Sequence, residues 1–263
     1  MPKLYANNIT NVIVTGKSGA GKQPRIDVLA EEFGLEQLST GNIFRSYLGK
    51  FNSYGYDGDL EELWNRESQK FVPDNEIAGK LGTDDEDIIL GMKAKYFVDR
   101  GLFVPDYITN NLFKSYFAKK GYRGQVLDGY PRTLDQAEFL LELVGTVDST
   151  IDFVLLVENS DEKIIERTVN RRICPECGEV YHLKYRPPEN GHCRKCGAEV
   201  IQRSDDTEEK IRSRLDEFRK KTVPALNYLE EQGIPVVKVP GHLEEFTREN
   251  VRRSVMDEVE KLF

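Results

Sequence analysis

The sequence predicts a doubly wound α/β core built on a five-stranded parallel sheet. Short apolar runs alternate with helical segments along the chain, which is typical of strands joined by helical crossovers. The longer runs are rich in Val, Ile and Leu without polar alternation, as expected of parallel strands covered on both faces. The predicted strands are Asn11–Thr15, Gln37–Ser39, Gln125–Asp128, Phe153–Val157 and Pro235–Val239.

The helices predicted around these strands are Pro24–Phe33, Leu134–Val144, Asp161–Arg172 and Thr207–Gln232. Pro24 suits the first turn of a helix, where a missing N–H costs little. Ser160 is a good N-cap for the third helix, and acidic residues follow it in the first turn. Pro224 interrupts the last segment, so we expect a kink there.

The composition is that of an acidic globular protein. The 263 residues carry 37 basic and 45 acidic side chains, a net charge of −8, which argues against a surface that coats nucleic acid. No apolar run reaches membrane-spanning length, and the N-terminus lacks a run of the signal-peptide type. We therefore expect a cytoplasmic protein with neither nucleic acid nor membrane as a partner.

The segment Gly16–Arg25 (GKSGAGKQPR) has the form of a phosphate-binding loop, since it follows an apolar run and precedes a helix. Its glycines let backbone N–H groups converge on phosphate oxygens, and Lys22 supplies a mobile ammonium. The usual Ser or Thr after the lysine is replaced by Gln23 and Pro24. We expect nucleotide binding to survive with weaker metal or β-phosphate contact. The alternative is a plain glycine-rich turn.

Two Cys-x2-Cys pairs separated by 15 residues indicate a zinc ribbon. Four thiolates form a closed tetrahedral site with no open position for catalysis, and such a segment depends on the metal for its stability. His182 and His192 lie nearby, but four cysteines complete the shell, so we expect both histidines to be bystanders. The predicted ligands are Cys174, Cys177, Cys193 and Cys196.

Several motifs occur together and in order along the chain. They are Ser39–Arg45 (STGNIFR), Leu127–Thr133 (LDGYPRT) with Gln136 beyond it, Asn170–Cys174 (NRRIC), Gln202–Asp206 (QRSDD) and Arg212–Leu215 (RSRL). Each resembles a motif of the adenylate kinase family, in its long-lid form that binds zinc. The resemblance covers nearly the whole chain except Ser46–Leu90.

This resemblance implies reversible phosphoryl transfer from ATP to AMP, giving two ADP, with Mg²⁺ bound alongside the nucleotide. It divides the chain into a core (1–38, 105–170 and 207–263), a helical AMP-binding subdomain (39–104, with an insert at 46–90) and a zinc-ribbon lid (171–206). It also implies a monomer. GTP as donor stays open, because contacts to the donor base are mostly backbone. A rival hypothesis is a zinc-ribbon module that binds RNA or protein on a degenerate nucleotide-binding core.

The resemblance also implies the site residues. Catalysis falls on Lys22, Asp128, Arg132, Arg171, Arg203 and Arg214. Contacts to ATP fall on Gly16, Gly19, Ala20, Gly21, Lys22, Gln23, Pro24, Arg167, Arg171, Val180, Tyr181 and Gly241. Contacts to AMP fall on Thr40, Gly41, Arg45, Leu102, Phe103, Val104, Gly129, Tyr130, Pro131, Arg132, Gln136, Arg203 and Arg214.

Some roles are more specific. Arg167 and Arg171 are four apart on one predicted helix and so share a face; by the resemblance, Arg167 lies over the ATP adenine and Arg171 on the ATP phosphates. Gln136 reads the AMP base, and Asp128 orients Mg²⁺ through water. Since Gln23-Pro24 replaces Gly-Thr and Asn42 replaces an aspartate, positions 23, 24 and 42 receive no metal role. The pair Asp205-Asp206 is either helix-entry charge or a device that closes the lid.

The insert Ser46–Leu90 holds the only tryptophan, Trp64, and apolar residues at roughly helical spacing. It is either a helical excursion packed on its own subdomain or a contact between subunits that exposes Trp64 and Phe71. Regulation or a foreign partner is a third reading. Phe71–Asp74 recurs as Phe103–Asp106, which we attribute to chance or to helix-start chemistry rather than duplication.

Overall fold

The computed structural model describes residues 9–203 and 206–263. The strands are β1 (Asn11–Thr15), β2 (Glu36–Ser39), β3 (Trp64–Asn65), β4 (Lys70–Phe71), β5 (Gln125–Asp128), β6 (Phe153–Glu158), β7 (Arg171–Ile173), β8 (Val180–His182) and β9 (Val236–Pro240). The α-helices are α1 (Gln23–Phe33), α2 (Thr40–Tyr54), α3 (Asp74–Leu81), α4 (Glu86–Val98), α5 (Asp106–Lys119), α6 (Leu134–Thr146), α7 (Asp161–Val169), α8 (Glu208–Glu217), α9 (Val223–Glu231) and α10 (Arg248–Val259).

The predicted five-stranded sheet is confirmed, with the order β2-β5-β1-β6-β9 and parallel pairing throughout. Ile13 of β1 packs into the apolar core on one face, and Val12 and Val14 pack into the core on the other. Both faces are covered, which is why β1 reads as a continuous apolar run. Since β1 lies between β5 and β6, a crevice opens at the carboxyl ends of these strands, where such folds bind ligands.

The prediction that one helix spans Asp161–Arg172 is wrong at its end. Helix α7 stops at Val169, and the Asn170 side chain donates to the Glu166 carbonyl at 2.7 Å. Arg171 instead begins β7, which pairs antiparallel with β8. Arg167 and Arg171 therefore do not share a helix face.

The last helical segment is interrupted just before Pro224, in agreement with the predicted kink. A π-helical turn, Phe218–Thr222, separates α8 from α9. Proline has no N–H to continue the helical hydrogen bonds, so the preceding turn takes the change in geometry.

The insert folds back on its own chain. Helix α2 continues to Tyr54 and α4 begins at Glu86, so the additional segment is 55–85, which holds a 3-10 turn, the β3–β4 hairpin and α3. The Trp64 ring is stacked on Tyr96, with ring centroids 5.1 Å apart, and meets Phe71 edge-on. This packing agrees with the first reading of the insert and covers part of both rings that a subunit contact would expose. The oligomeric state stays a prediction.

The repeated FVPD sequence starts two helices. Pro73 precedes α3 and Pro105 precedes α5, with nearly the same backbone angles. Helix-start chemistry therefore accounts for the echo. Among the described residues, no helix combines the length and apolar character needed to cross a membrane.

Candidate active site

The phosphate loop connects β1 to α1 along a path that requires glycine. Gly16 and Gly19 have φ of +147° and +86°, a region that favours glycine. A Cβ on Gly16 would lie 2.5 Å from the Val157 carbonyl oxygen, and one on Gly19 would lie 2.7 Å from Thr168 Oγ1. The loop is thus held between the end of β6 and α7. Lys22 Nζ donates across it to the Gly16 carbonyl at 3.2 Å.

The unusual pair after Lys22 enters a hydrogen-bond chain. Pro24 lies in the first turn of α1, as predicted. Gln23 Nε2 donates to Asp27 Oδ1 and Gln37 Oε1, both at 2.9 Å. Gln37 Nε2 donates in turn to Asp128 Oδ2 at 3.0 Å. The segment that lacks a hydroxyl is therefore linked to the carboxylate at the end of β5.

Two cavities adjoin the phosphate loop and share a wall. The larger has a volume of about 880 Å³ and extends toward Phe103 and Gln136. The smaller has a volume of about 550 Å³ and extends toward α7 and β8. Lys22, Arg171 and Arg203 line both cavities. Three cations from separate segments thus converge on the shared wall.

The larger cavity collects most of the predicted AMP side. The predicted site residues that line this cavity are Gly16, Lys22, Phe103, Val104, Gly129, Arg132, Gln136, Arg171, Arg203 and Arg214. The residues predicted to contact AMP that do not line this cavity are Thr40, Gly41, Arg45, Leu102, Tyr130 and Pro131. Of these, Arg45 is exposed and donates to Asn42 Oδ1.

Two side chains predicted to contact AMP have protein partners. Gln136 Oε1 accepts from the Arg132 backbone N–H at 2.8 Å, and its Nε2 donates to Asp106 Oδ1 at 2.6 Å. Tyr130 is 1% exposed, and its hydroxyl donates to Asn110 Oδ1 at 2.7 Å. Gln136 therefore holds the backbone at Arg132, and the Tyr130 side chain belongs to the core. A contact from Gln136 to a base stays a prediction.

The smaller cavity collects most of the predicted ATP side. Its predicted members are Gly19, Gly21, Lys22, Gln23, Pro24, Asp128, Arg167, Arg171, Val180, Tyr181 and Arg203. Ala20 is fully buried behind the loop, where Gly241 packs so closely that a Cβ on Gly241 would overlap the Ala20 carbonyl. Tyr181 is 1% exposed, and its hydroxyl donates to Cys193 Sγ at 3.3 Å.

Asp206 holds the side chain of Arg171, one of the three cations on the shared wall, and contacts the backbone of Arg203. Its fully buried carboxylate accepts from Arg171 Nε at 2.9 Å and Nη2 at 2.6 Å, a bidentate geometry that fixes the guanidinium plane. The Asp206 backbone N–H donates to the Arg203 carbonyl at 3.0 Å. Asp206 is thus an arginine-positioning carboxylate rather than simple helix-entry charge. Its neighbour Asp205 lies outside the described residues.

The cations of the site are crowded and poorly hydrated. Burial lowers the pKa of Lys22, Asp128 opposes this shift, and Arg132 adds to it. Burial likewise lowers the pKa of Arg167, and the nearby charge of Arg171 lowers it further. A polyanion between these groups would relieve both effects, because it supplies opposite charge in a poorly solvated site.

Sequence reasoning missed His182, which lines the smaller cavity. Its Nδ1 accepts from the backbone N–H groups of Lys184 and Tyr185 at 3.1 and 3.3 Å. The proton therefore sits on Nε2, which is buried and has no hydrogen-bond partner within the described part of the chain. Burial lowers the pKa of His182, and Arg167 lowers it further. His182 thus offers a neutral N–H donor beside Arg167, a role that no local motif signals.

The four cysteines form one compact group, as predicted. Their sulfur atoms lie within 4.8 Å of one another, which suits a tetrahedral ion with bonds to sulfur of about 2.3 Å. Burial acts to raise the pKa of Cys193, but hydrogen bonds from Tyr181 and from backbone N–H groups outweigh it and lower the pKa to about 6. This donor set fits a structural zinc, and His182 and His192 are not part of the group.

Comparison with known proteins gives a consistent result. A family model described as adenylate kinase matches residues 82–234. A protein named adenylate kinase from Symbiobacterium thermophilum is 36% identical over 229 residues, which cover 85% of this chain and 88% of that protein. Adenylate kinases from Clostridium kluyveri and Clostridium botulinum are 35% and 34% identical over 225 residues, which cover 85% of this chain and 87% and 88% of those proteins. Identity at this level over most of both chains shows that the chain belongs to the adenylate kinase family.

Proposed function

We propose that the smaller cavity holds ATP, that the larger cavity holds AMP, and that the phosphoryl group passes across their shared wall. As a member of the adenylate kinase family, the chain is a phosphotransferase that interconverts ATP and AMP with two ADP. The observation that carries the assignment is that Lys22, Arg171 and Arg203 line both cavities. The transferred group must pass at a point that both nucleotides reach.

The chemistry demands charge rather than a protein nucleophile. Phosphoryl transfer spreads negative charge over the moving group, so catalysis consists mainly of positioning and electrostatic stabilisation. Lys22, Arg171 and Arg203 supply positive charge on the shared wall, and Arg132 and Arg214 supply it from the AMP side. Arginine suits this role because its planar fork binds phosphate oxygens in pairs and stays charged.

Asp128 fits the Mg²⁺ that accompanies the nucleotide. It lies at the carboxyl end of β5, lines the smaller cavity and is held by Gln37. Mg²⁺ in nucleotide sites takes one or two carboxylates plus phosphate oxygens and keeps several waters, so Asp128 would act through water. The ion, when bound, neutralises phosphate charge. Residues 23, 24 and 42 receive no part in holding it.

The residues that line the smaller cavity indicate where the phosphate end and the base end of ATP would lie. Gly21 and Lys22 would take the phosphates, and Arg167 would lie against the adenine. A Cβ on Gly21 would come within 3.1 Å of Arg167 Nη1 and 2.9 Å of the Gly241 carbonyl oxygen, so these groups meet around one narrow space. The backbone near Gly241 would contact the base.

The chain would divide as the resemblance implies, into a core (1–38, 105–170 and 207–263), an AMP-binding subdomain (39–104) and a lid (171–206). The lid holds β7, β8 and the cysteine group, and zinc would stabilise it. Four unpaired cysteines gathered as a metal site suit the cytoplasm, where disulfides are rare. The covered rings of Trp64 and Phe71 favour a monomer.

The test is a coupled assay of ADP formation from ATP and AMP, with GTP as a second donor. We expect activity in the wild type and a loss of roughly 10³–10⁵-fold in Arg132→Ala, as for other transition-state arginines. The matched control is Arg123→Ala, which removes an exposed arginine that pairs with Asp148. An Arg132→Ala rate within about threefold of wild type would mean that the role is misassigned. Folded wild type without ADP formation would favour the zinc-ribbon binding module.

A further inference from the structure

Arg25 is a fully buried cation beside the phosphate loop. It lies in the first turn of α1, is 0% exposed and forms no ion pair with any carboxylate among residues 9–203 and 206–263. A buried charge without an ionic partner is costly, and the Phe246 ring, whose centroid lies 5.4 Å from the Arg25 guanidinium carbon, offsets this only in part. A positive charge in the first turn of a helix is also unfavourable, because the helix dipole is positive there. A residue held against both effects calls for an explanation.

The guanidinium joins two backbone segments. Nη1 donates to the Gly21 carbonyl at 3.2 Å, and Nη2 donates to the Pro240 carbonyl at 2.7 Å. Nε is buried and has no acceptor among the residues that the structure describes. Pro240 ends β9 and precedes Gly241, whose N–H donates to the Glu158 carbonyl at 2.6 Å. Arg25 therefore connects the phosphate loop to the segment on its far side.

These two segments are the ones assigned above to the two ends of the donor. Gly21 precedes Lys22 at the phosphate end, and Pro240 precedes Gly241 at the base end. The fixed fork of an arginine sets the distance between two acceptors more firmly than a flexible ammonium does. The spacing of the two segments therefore depends on the direct packing of Gly241 against the loop and on the Arg25 side chain, which does not line either cavity.

We propose that Arg25 is a positioning residue for the nucleoside triphosphate donor, and this inference rests on the proposed function. It sets the spacing between the phosphate-binding and base-binding segments through its two backbone hydrogen bonds. Arg25 keeps its charge at neutral pH. Burial is the larger cause and repulsion from Arg167 the smaller, and together they lower the pKa of Arg25 only to about 10.

The role predicts a change in Michaelis constants that is confined to one substrate. Arg25→Gln removes the charge and one end of the fork, and Arg25→Lys keeps the charge but loses the fork. We expect Arg25→Gln to raise the KM for ATP roughly tenfold or more, as for the loss of a charge-assisted hydrogen bond, with the KM for AMP within about twofold. Arg25→Lys should recover part of the ATP affinity. The matched control is Arg248→Gln, which removes an exposed arginine that also contacts α1, through Glu31.

Calorimetric titration of ATP into the protein without AMP gives an independent measure. If the wild type makes no ADP, the proposed function fails, yet weaker ATP binding in Arg25→Gln would still support the positioning role. Equal changes in the constants for ATP and AMP, or unchanged ATP binding, would overturn it. If Arg25→Gln does not fold, Arg25→Lys decides, because wild-type ATP affinity in that variant contradicts a role for the fork.

Discussion

Replacing Asp206 by asparagine should lower both stability and catalysis, because its carboxylate holds Arg171, an arginine that we propose to be catalytic. Asp206 is fully buried, and the Arg171 side chain is 27% exposed. Breaking a buried pair by removing one partner costs about 3–5 kcal/mol, and water that reaches Arg171 places this pair near the lower end. A loss of about 3 kcal/mol should lower the melting temperature of a chain of this size by roughly 6–12 °C.

Catalysis should fall as well, since asparagine cannot accept both N–H groups of Arg171 and the guanidinium loses its fixed plane. Losing one charge-assisted hydrogen bond costs about 1.5–3 kcal/mol, and each 1.4 kcal/mol is about tenfold. We therefore expect kcat to fall by roughly 10- to 100-fold at a temperature where the variant is folded.

The assays are thermal unfolding followed by circular dichroism and ADP formation at 25 °C. Asp216→Asn is the matched control, because Asp216 is exposed and pairs with Arg219 across one helical turn. Such surface pairs contribute about 0–1 kcal/mol, so the control should behave like the wild type. An Asp206→Asn variant with unchanged melting temperature and kcat would show that the pair neither stabilises the lid nor positions Arg171.

Three further outcomes are expected. Metal analysis should find one zinc per chain, and Cys193→Ser should lower the melting temperature more than it lowers activity at moderate temperature; metal-free native protein would contradict this. His182→Phe removes the free Nε2 donor but keeps a ring, so it should raise the KM for ATP by about tenfold and leave the KM for AMP unchanged. A KM for ATP equal to that of the wild type would exclude a donor contact from His182. His192→Phe is the control. Replacing residues 55–85 by a short linker should leave detectable phosphotransfer while changing AMP affinity and exposing Tyr96, and folded protein without activity would show that the insert is essential.

The sheet and the phosphate loop could be predicted because their signals are local. A run such as Asn11–Thr15 is buried on both faces, and the glycines and Lys22 follow it directly. The cysteine group was equally readable, since ligand spacing fixes a metal site almost independently of the rest of the chain.

The positions and roles of Arg171 and His182 could not be predicted from their neighbours in the sequence. Residues 161–172 continue a helical pattern, and only pairing with β8 turns Arg171 into a strand residue. His182 becomes a donor because backbone N–H groups at Lys184 and Tyr185 occupy its other nitrogen. Asp206 looked ambiguous beside Asp205 because its partner is 35 residues away. Each of these depends on the folded lid rather than on its own sequence neighbours.

If ATP and AMP occupy the two cavities as we propose, the shared wall couples their binding free energies. Whichever nucleotide binds first screens Lys22, Arg171 and Arg203 from the other, so the second polyanion meets a weaker attractive field. Added salt screens the same cations and should weaken the affinity for both nucleotides. It should also reduce the difference in binding free energy between the first and second binding steps. In the proposed arrangement, the geometry that would bring the two phosphates close enough to react would also make the two nucleotides repel each other. The two ADP products, which carry equal charge, would likewise repel each other across the wall and so favour each other's release.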